Sequence, residues 1–188
     1  MLTNTYFERG VEQIVDVVRR FAEALANAGI PYRVVGGLGV FLHIERVDPL
    51  LARLTRDVDV AVARTDLHRI RDAVGGSGFA YRHAAGVDMF VDAANPRARS
   101  AVHLVFVGER VRDDYVEPVP AFSPAMRTPD GITVAPVADL LRMKLTSFRL
   151  KDRVHVQDLD RAGLIPPEIE ALLSDQLRAR LSEVRATE

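Results

Sequence analysis

The residues best suited to chemistry fall in two neighbouring stretches, Val34-Val35-Gly36-Gly37 and Arg53-Leu54-Thr55-Arg56-Asp57-Val58-Asp59. Asp57 and Asp59 are two residues apart, so on an extended strand both carboxylates project from one face. Such a pair can share a hard divalent cation, and Mg²⁺ takes carboxylate oxygens together with waters and phosphate. Two glycines between a strand and a helix leave backbone N–H groups free at the helix start. The partial positive charge there accepts a closely approaching anion. A phosphate cradle beside a cation-binding carboxylate pair is what phosphoryl or nucleotidyl transfer requires. Taken singly, each feature has a plainer reading: the glycines are a turn, and Arg53 and Arg56 neutralise the aspartates.

Positioning these groups needs a strand, a helix and a second strand in that order, and the hydrophobic pattern supplies them. Residues 4–28 carry Phe7, Val11, Ile14, Val18, Phe21 and Leu25 at helical spacing, closed by Gly29 and Pro31. The pattern then predicts a strand at 32–35, a Gly36-Gly37 turn, a helix over 38–45 and a strand over 55–61. A helix follows over 65–74, then strands near 79–83, 87–91 and 101–107, a charged and Pro-rich loop over 108–131, and a strand at 132–135. From 136 onward the pattern is helical, with a break near Leu150 and a turn at Gly163 and Pro166-Pro167. The expected organisation is an α/β core over 1–131, opened by a leading helix at 1–29, and a helical part over 132–188.

Composition narrows the function classes. The chain has 188 residues, 48% of them hydrophobic and 27% charged, which suits an ordinary folded domain. There is no Cys, so disulfides, thiolate catalysis and Cys-ligated metals are excluded. No apolar run approaches the roughly 18 residues of a membrane span. The opening residues carry Glu8 and lack a basic-then-apolar order, so the expected location is cytoplasmic, without membrane partners. The formal net charge is −1, and Lys144 and Lys151 are the only lysines among 25 basic residues. Residues 142–153 nevertheless hold Arg142, Lys144, Arg149, Lys151 and Arg153 against Asp152 alone, a local excess suited to a triphosphate or an RNA backbone. With no Trp and 6% aromatic residues, base stacking is at most a small part of any RNA contact. His43, His68 and His83 have no partners at ligand spacing and read as structural; His43, on the helix after Gly37, is the possible exception.

The ordered Gly-Gly and Asp-x-Asp motifs resemble the signature of the nucleotidyltransferase superfamily. The more detailed pattern is similar to AbiEii-like proteins, the toxin half of type IV toxin–antitoxin pairs, in which Gly-Gly and a helix precede Arg-x-Thr-x-Asp-x-Asp. A later Lys-bearing helix, an Arg-rich turn and a helix with Asp-x-x-Asp find counterparts in Lys144, in Arg149 and Lys151, and in His155-Val156-Gln157-Asp158. The resemblance covers residues 30–62 well and 136–160 loosely. It implies an α/β (α+β) fold, a nucleotidyltransferase-like mixed sheet flanked by helices with a helical C-terminal part. It also implies a Mg²⁺-dependent enzyme that uses a nucleoside triphosphate, with Asp57 and Asp59 as catalytic metal ligands. Gly36, Gly37, Arg53, Thr55, Lys144 and Asp158 then surround the nucleotide, and Lys144 joins the catalytic set; His103 is a catalytic candidate on its own chemistry, since a neutral imidazole can act as base or metal ligand. In toxin members the acceptor is RNA, notably the 3′ end of tRNA, and a cognate antitoxin is the expected protein partner. Two positions depart from the pattern. The later strand that usually adds a third carboxylate offers His103, with Asp88, Asp92 or Glu109 as substitutes, and His155 stands where Asp is usual. The alternatives are a small-molecule, antibiotic-type nucleotidyltransferase and an inactive homologue that binds nucleotide or a partner.

Overall fold

A computed structural model describes residues 2–53, 55, 57–94 and 101–187, with side chains in the leading helix described from residue 14. Helix α1 (Leu2–Asn27) packs its apolar stripe inward: Val18, Phe21 and Leu25 are buried. It stops where Gly29 adopts φ +62° and Ile30 donates its N–H back to the Leu25 carbonyl, a left-handed closure that glycine permits at little cost. The chain continues through β1 (Tyr32–Val35), α2 (Gly36–Val47), β2 (Val58–Val62), a short 3₁₀ turn, α3 (Leu67–Gly75), β3 (Phe79–Ala84), β4 (Val87–Asp92) and β5 (Val102–Phe106). Two short strands follow, β6 (Met126–Arg127) and β7 (Thr133–Val134), and then α4 (Val137–Ser147), α5 (Leu150–Arg161), α6 (Pro167–Glu170) and α7 (Asp175–Arg185).

The seven strands form one mixed sheet in the order β3-β4-β5-β2-β1-β7-β6. Neighbours run antiparallel except β2 beside β5 and β1 beside β7, which are parallel. Alternation along the central strands divides the interior. Tyr32, Val34, Val58, Val60, Val62, Val102, Leu104 and Phe106 face α1 and α3 in one core. Val35 and Ala61 face the other way, into a second core filled by Leu140, Leu141, Leu145, Val156, Leu159, Leu177 and Leu181 of the late helices. Thus β6 lies within the loop expected over 108–131, β7 falls inside the strand expected at 132–135, and Val134 belongs to the first core.

Two local expectations change. The glycines at 36 and 37 do not form a separate turn; they are the first residues of α2, which runs two residues further than predicted at its end. The strand expected over 55–61 begins at Val58, so Asp57 lies just before it, while Leu54 and Arg56 fall outside the described residues. No helix among the described residues is long and apolar enough to cross a membrane.

Candidate functional site

The second sheet face is not fully covered, and a cleft of about 660 Å³ opens there. Gly36, Asp57, Asp59, His103, Lys144 and Lys151 line one end of it. The register explains the grouping: Asp59 pairs with Val35 on β1 and with His103 on β5, so the start of α2, the aspartate and the histidine stand side by side. Asp59 fits against the glycine so closely that a Cβ at residue 36 would lie 2.0 Å from its Oδ2, and Gly36 has φ +67°. Only glycine allows both the backbone angle and the approach. Gly37 is tight as well: a Cβ there would lie 2.9 Å from Thr55 Oγ1 and 3.2 Å from His155 Cε1.

The two carboxylates are weakly held. Asp57 has Lys151 Nζ at 3.5 Å, and Asp59 has His103 Nδ1 at 3.8 Å. Burial pushes the Asp59 carboxyl above its ordinary value; Lys144 and His103 oppose this, and Asp57 adds to it. A carboxylate whose cationic neighbours stand at a distance, and which lies beside a second carboxylate, fits a cation well. Among the described residues no three His, Asp or Glu side chains form a metal cage. The donor set therefore fits a hard ion that completes its shell with water and ligand phosphate, as Mg²⁺ does.

Lys144 is not a free point charge. Its ammonium is buried and donates to Asp152 Oδ1 at 2.9 Å, and Asp152 is fully buried. Asp152 also accepts from Ser147 Oγ at 2.8 Å and Arg149 Nε at 2.7 Å. Burial alone would raise its carboxyl; the donors from Arg149, Lys144 and Ser147 outweigh this and bring it to about 2. This joint ties α4 to α5 across Phe148, whose φ is +50° and whose ring lies under Arg153 and Arg180. On the next turn of α5, His155 is held neutral: burial first, then Lys144, lower its pKa to about 4. Its Nδ1 is buried with no hydrogen-bond partner among the described residues.

The cleft brings together Gly36, Asp57, Asp59, His103 and Lys144. Gly37 and Thr55 pack against each other behind it, with Thr55 Oγ1 accepting the Asp57 N–H at 3.4 Å. Arg53 pairs with Asp158 at 3.1 Å. Burial pushes the Asp158 carboxyl up, and Arg53 opposes it. The carboxylates considered for β4 and beyond have other partners. Asp88 meets Tyr81, His83 and Arg64, Asp92 meets Arg20, and Glu109 meets Arg64. The three remaining histidines have partners of their own: His43 Nε2 lies 2.8 Å from the Ala135 carbonyl, the exposed His68 beside Asp72, and His83 beside Asp88. The local excess over 142–153 is answered in place, because Arg142 pairs with Glu117 and Arg153 with Glu183 in addition to the pairs above. Asp152, the partner of Lys144, is a site residue that the sequence reading does not single out; its spacing with His155 and Asp158, each three residues on, marks one helix face.

The sequence matches no protein-family model and no curated protein. Solved structures do match. An antigenic nucleotidyltransferase-like protein from Paracoccidioides brasiliensis superposes with TM-score 0.62 at 16% identity, covering 94% of this chain and 89% of that one. The antibiotic-resistance factor ANT(2'')-Ia in solution gives 0.54 at 11%, covering 94% and 93%. ANT(2'')-Ia in complex with adenylyl-2''-tobramycin gives 0.53 at 12%, covering 92% and 97%. The fold is therefore nucleotidyltransferase-like: a seven-stranded mixed sheet flanked by helices.

Proposed function

We propose that this protein is a nucleotidyltransferase that moves a nucleoside monophosphate from a nucleoside triphosphate to an acceptor hydroxyl. The observation that carries the reading is the contact of Asp59 with Gly36 at the start of α2, beside Asp57 and inside a cleft. It joins a carboxylate pair to a helix start able to receive phosphate, on a fold of the nucleotidyltransferase type. Asp57 and Asp59 would hold Mg²⁺, which when bound offsets charge on the triphosphate and the pyrophosphate leaving group.

The chain's own residues then have distinct roles. The N–H groups at the start of α2 receive phosphate oxygens. Lys144, held in place by Asp152, adds positive charge at that end of the cleft. The acceptor oxygen attacks the α-phosphorus, the bond from that phosphorus to the bridging oxygen breaks, and pyrophosphate departs. The acceptor's proton passes to the imidazole of His103, which Asp59 faces. Arg53 and Asp158 secure the segment that leads into Asp57, and Thr55 supports its N–H.

For the acceptor, the resemblance to AbiEii-like toxins supports the 3′ end of tRNA, with a cognate antitoxin as partner. A second reading rests on His103 in place of a third carboxylate: a protein of this fold that binds nucleotide or a partner without catalysis. The test incubates the protein with each labelled triphosphate, Mg²⁺ and total RNA. The transfer reading expects labelled RNA, lost by at least about 10³-fold in Asp57→Ala and Asp59→Ala. Transfer that persists in both variants would refute it. Nucleotide-dependent thermal stabilisation without transfer to RNA or small hydroxyl compounds would favour the second reading.

A further inference from the structure

The cleft extends along β2, from Asp59 near the strand's start to Arg64 just past its end, and the charge at that far end can be assigned group by group. Three carboxylates line it, and each is engaged. Asp88 meets the Tyr81 hydroxyl, His83 Nδ1 at 2.8 Å and Arg64 at 3.6 Å. Glu109 accepts both Nε and an NH₂ group of Arg64, whose guanidinium also lies 3.6 Å above the Phe106 ring. Glu117 accepts two bonds from Arg142, at 3.0 and 2.8 Å, and one from Ser174 Oγ at 2.7 Å.

Two guanidiniums are left over. The Arg110 guanidinium makes a single 3.5 Å contact to the Val116 carbonyl, and the Arg112 guanidinium has no hydrogen bond or ion pair among the described residues, although the Arg112 carbonyl accepts the Tyr115 N–H at 3.1 Å. Both are exposed, and both line the cleft together with Tyr115. Asp113 and Asp114 of the same loop are not among the lining residues. The loop is built rather than loose. Gly108 N–H bonds the Val119 carbonyl and Val119 N–H bonds the Glu109 carbonyl, both at 2.9 Å, closing its base. Glu109 and Glu117 then pin its two flanks to Arg64 and Arg142. An anchored loop presents its cations with little ordering still to be lost on binding.

We propose that the loop over residues 108–119 is the acceptor side of the cleft and selects an acceptor that carries a phosphate near its reactive hydroxyl, bound by Arg110 and Arg112. The inference rests on the nucleotidyl-transfer reading and adds to it the residues that read a phosphate on the acceptor, whether that acceptor is a polymer or a small molecule. A polycationic acceptor would find the cleft-lining carboxylates at this end already paired, with the exposed Asp113 and Asp114 outside the lining, and would meet two unpaired guanidiniums. A phosphate would find two donors suited to it.

Binding is measured apart from chemistry. The probes are a 5′-labelled RNA oligonucleotide with a free 3′ hydroxyl, glycerol 3-phosphate, and an aminoglycoside as the cationic control. The wild-type protein should bind one or both phosphate probes. Arg110→Ala/Arg112→Ala should weaken that binding by about tenfold or more. For the oligonucleotide, it should also flatten the dependence of log K on log salt by about 1.4, the equivalent of two single-strand phosphate contacts. Arg110→Lys/Arg112→Lys should restore most of the affinity, which separates charge from loop structure. Binding of the oligonucleotide but not glycerol 3-phosphate identifies a polymer acceptor; the converse identifies a small one. Failure of both probes to bind, unchanged affinity in the Ala variant, or tighter binding of the aminoglycoside would overturn the inference. Transfer of label from triphosphate to RNA or small hydroxyl compounds, assayed on the same samples, separates the two failures. Where transfer is present only the acceptor inference falls; where it is absent in wild type the transfer reading falls too.

Discussion

Gly36 shows how a single hydrogen atom in place of a side chain can set a site. Ala at this position would meet the Asp59 carboxylate at 2.0 Å and would also adopt φ +67°. The angle alone costs about 1 kcal/mol for a residue with a Cβ. Gly29 has φ +62°, and a Cβ there would meet nothing within 4 Å, so Gly29→Ala reports the angle alone. Gly36→Ala should therefore lose more stability than Gly29→Ala in urea titration and should also lose transfer activity, because Asp59 must shift. Equal stability losses, with activity intact, would mean that the contact has no role. Gly36, Asp57 and Asp59 stand out in the sequence because the signals are local, glycines after a short strand and a two-residue spacing, although the glycines open α2 and Asp57 precedes β2. The partner of Lys144 does not stand out. Asp152 lies across a helix break whose angle depends on Phe148 adopting φ +50°, and nothing in residue type marks Phe for that conformation. Arg110 and Arg112 were hidden for another reason: pairing removed the charges around them, and that is visible only in three dimensions.

At the scale of elements, α5 is the piece that serves the site from behind. Asp152 fixes Lys144, His155 packs against Gly37, and Asp158 holds Arg53, all from one face of that helix. Helical periodicity made α5 legible, and the break near residue 150 falls between α4 and α5 as expected. What could not be read was that its polar stripe points inward. His155 makes this stripe sensitive to pH. Its pKa is about 4 in the fold against 6.5 in an unfolded chain. The unfolded state therefore binds an extra proton between these values, and stability falls as pH drops from 6.5 towards 4. His155→Gln removes this contribution, so the drop in Tm between pH 7 and pH 5 should be smaller in the variant than in wild type. An equal drop in both proteins would show that His155 does not contribute to the acid sensitivity.

For the molecule as a whole, the sheet is shared by two cores. Phe21 and Val60 belong to one, Val35 and Leu159 to the other, and β1 contributes to both through Val34 and Val35. Alternation marked β2, the strand expected at 132–135 contains β7, and the family resemblance implied a helix-flanked sheet, whereas the two-residue β6 is too short to give a periodic signal. Because one sheet carries both cores, unfolding should be a single calorimetric transition. Phe21→Ala and Leu159→Ala should each lower it by about 2–5 kcal/mol without splitting it. Two resolved peaks in either variant would show that the cores melt independently. The same arrangement leaves an unusual chemical handle. The chain's two lysines both line the cleft; Lys144 is sealed against Asp152, whereas Lys151 is exposed beside Asp57. Acylation by an amine-selective reagent therefore falls, among the lysines, on Lys151. Its rate becomes a footprint of cleft occupancy, read by peptide mass without knowing what the occupant is.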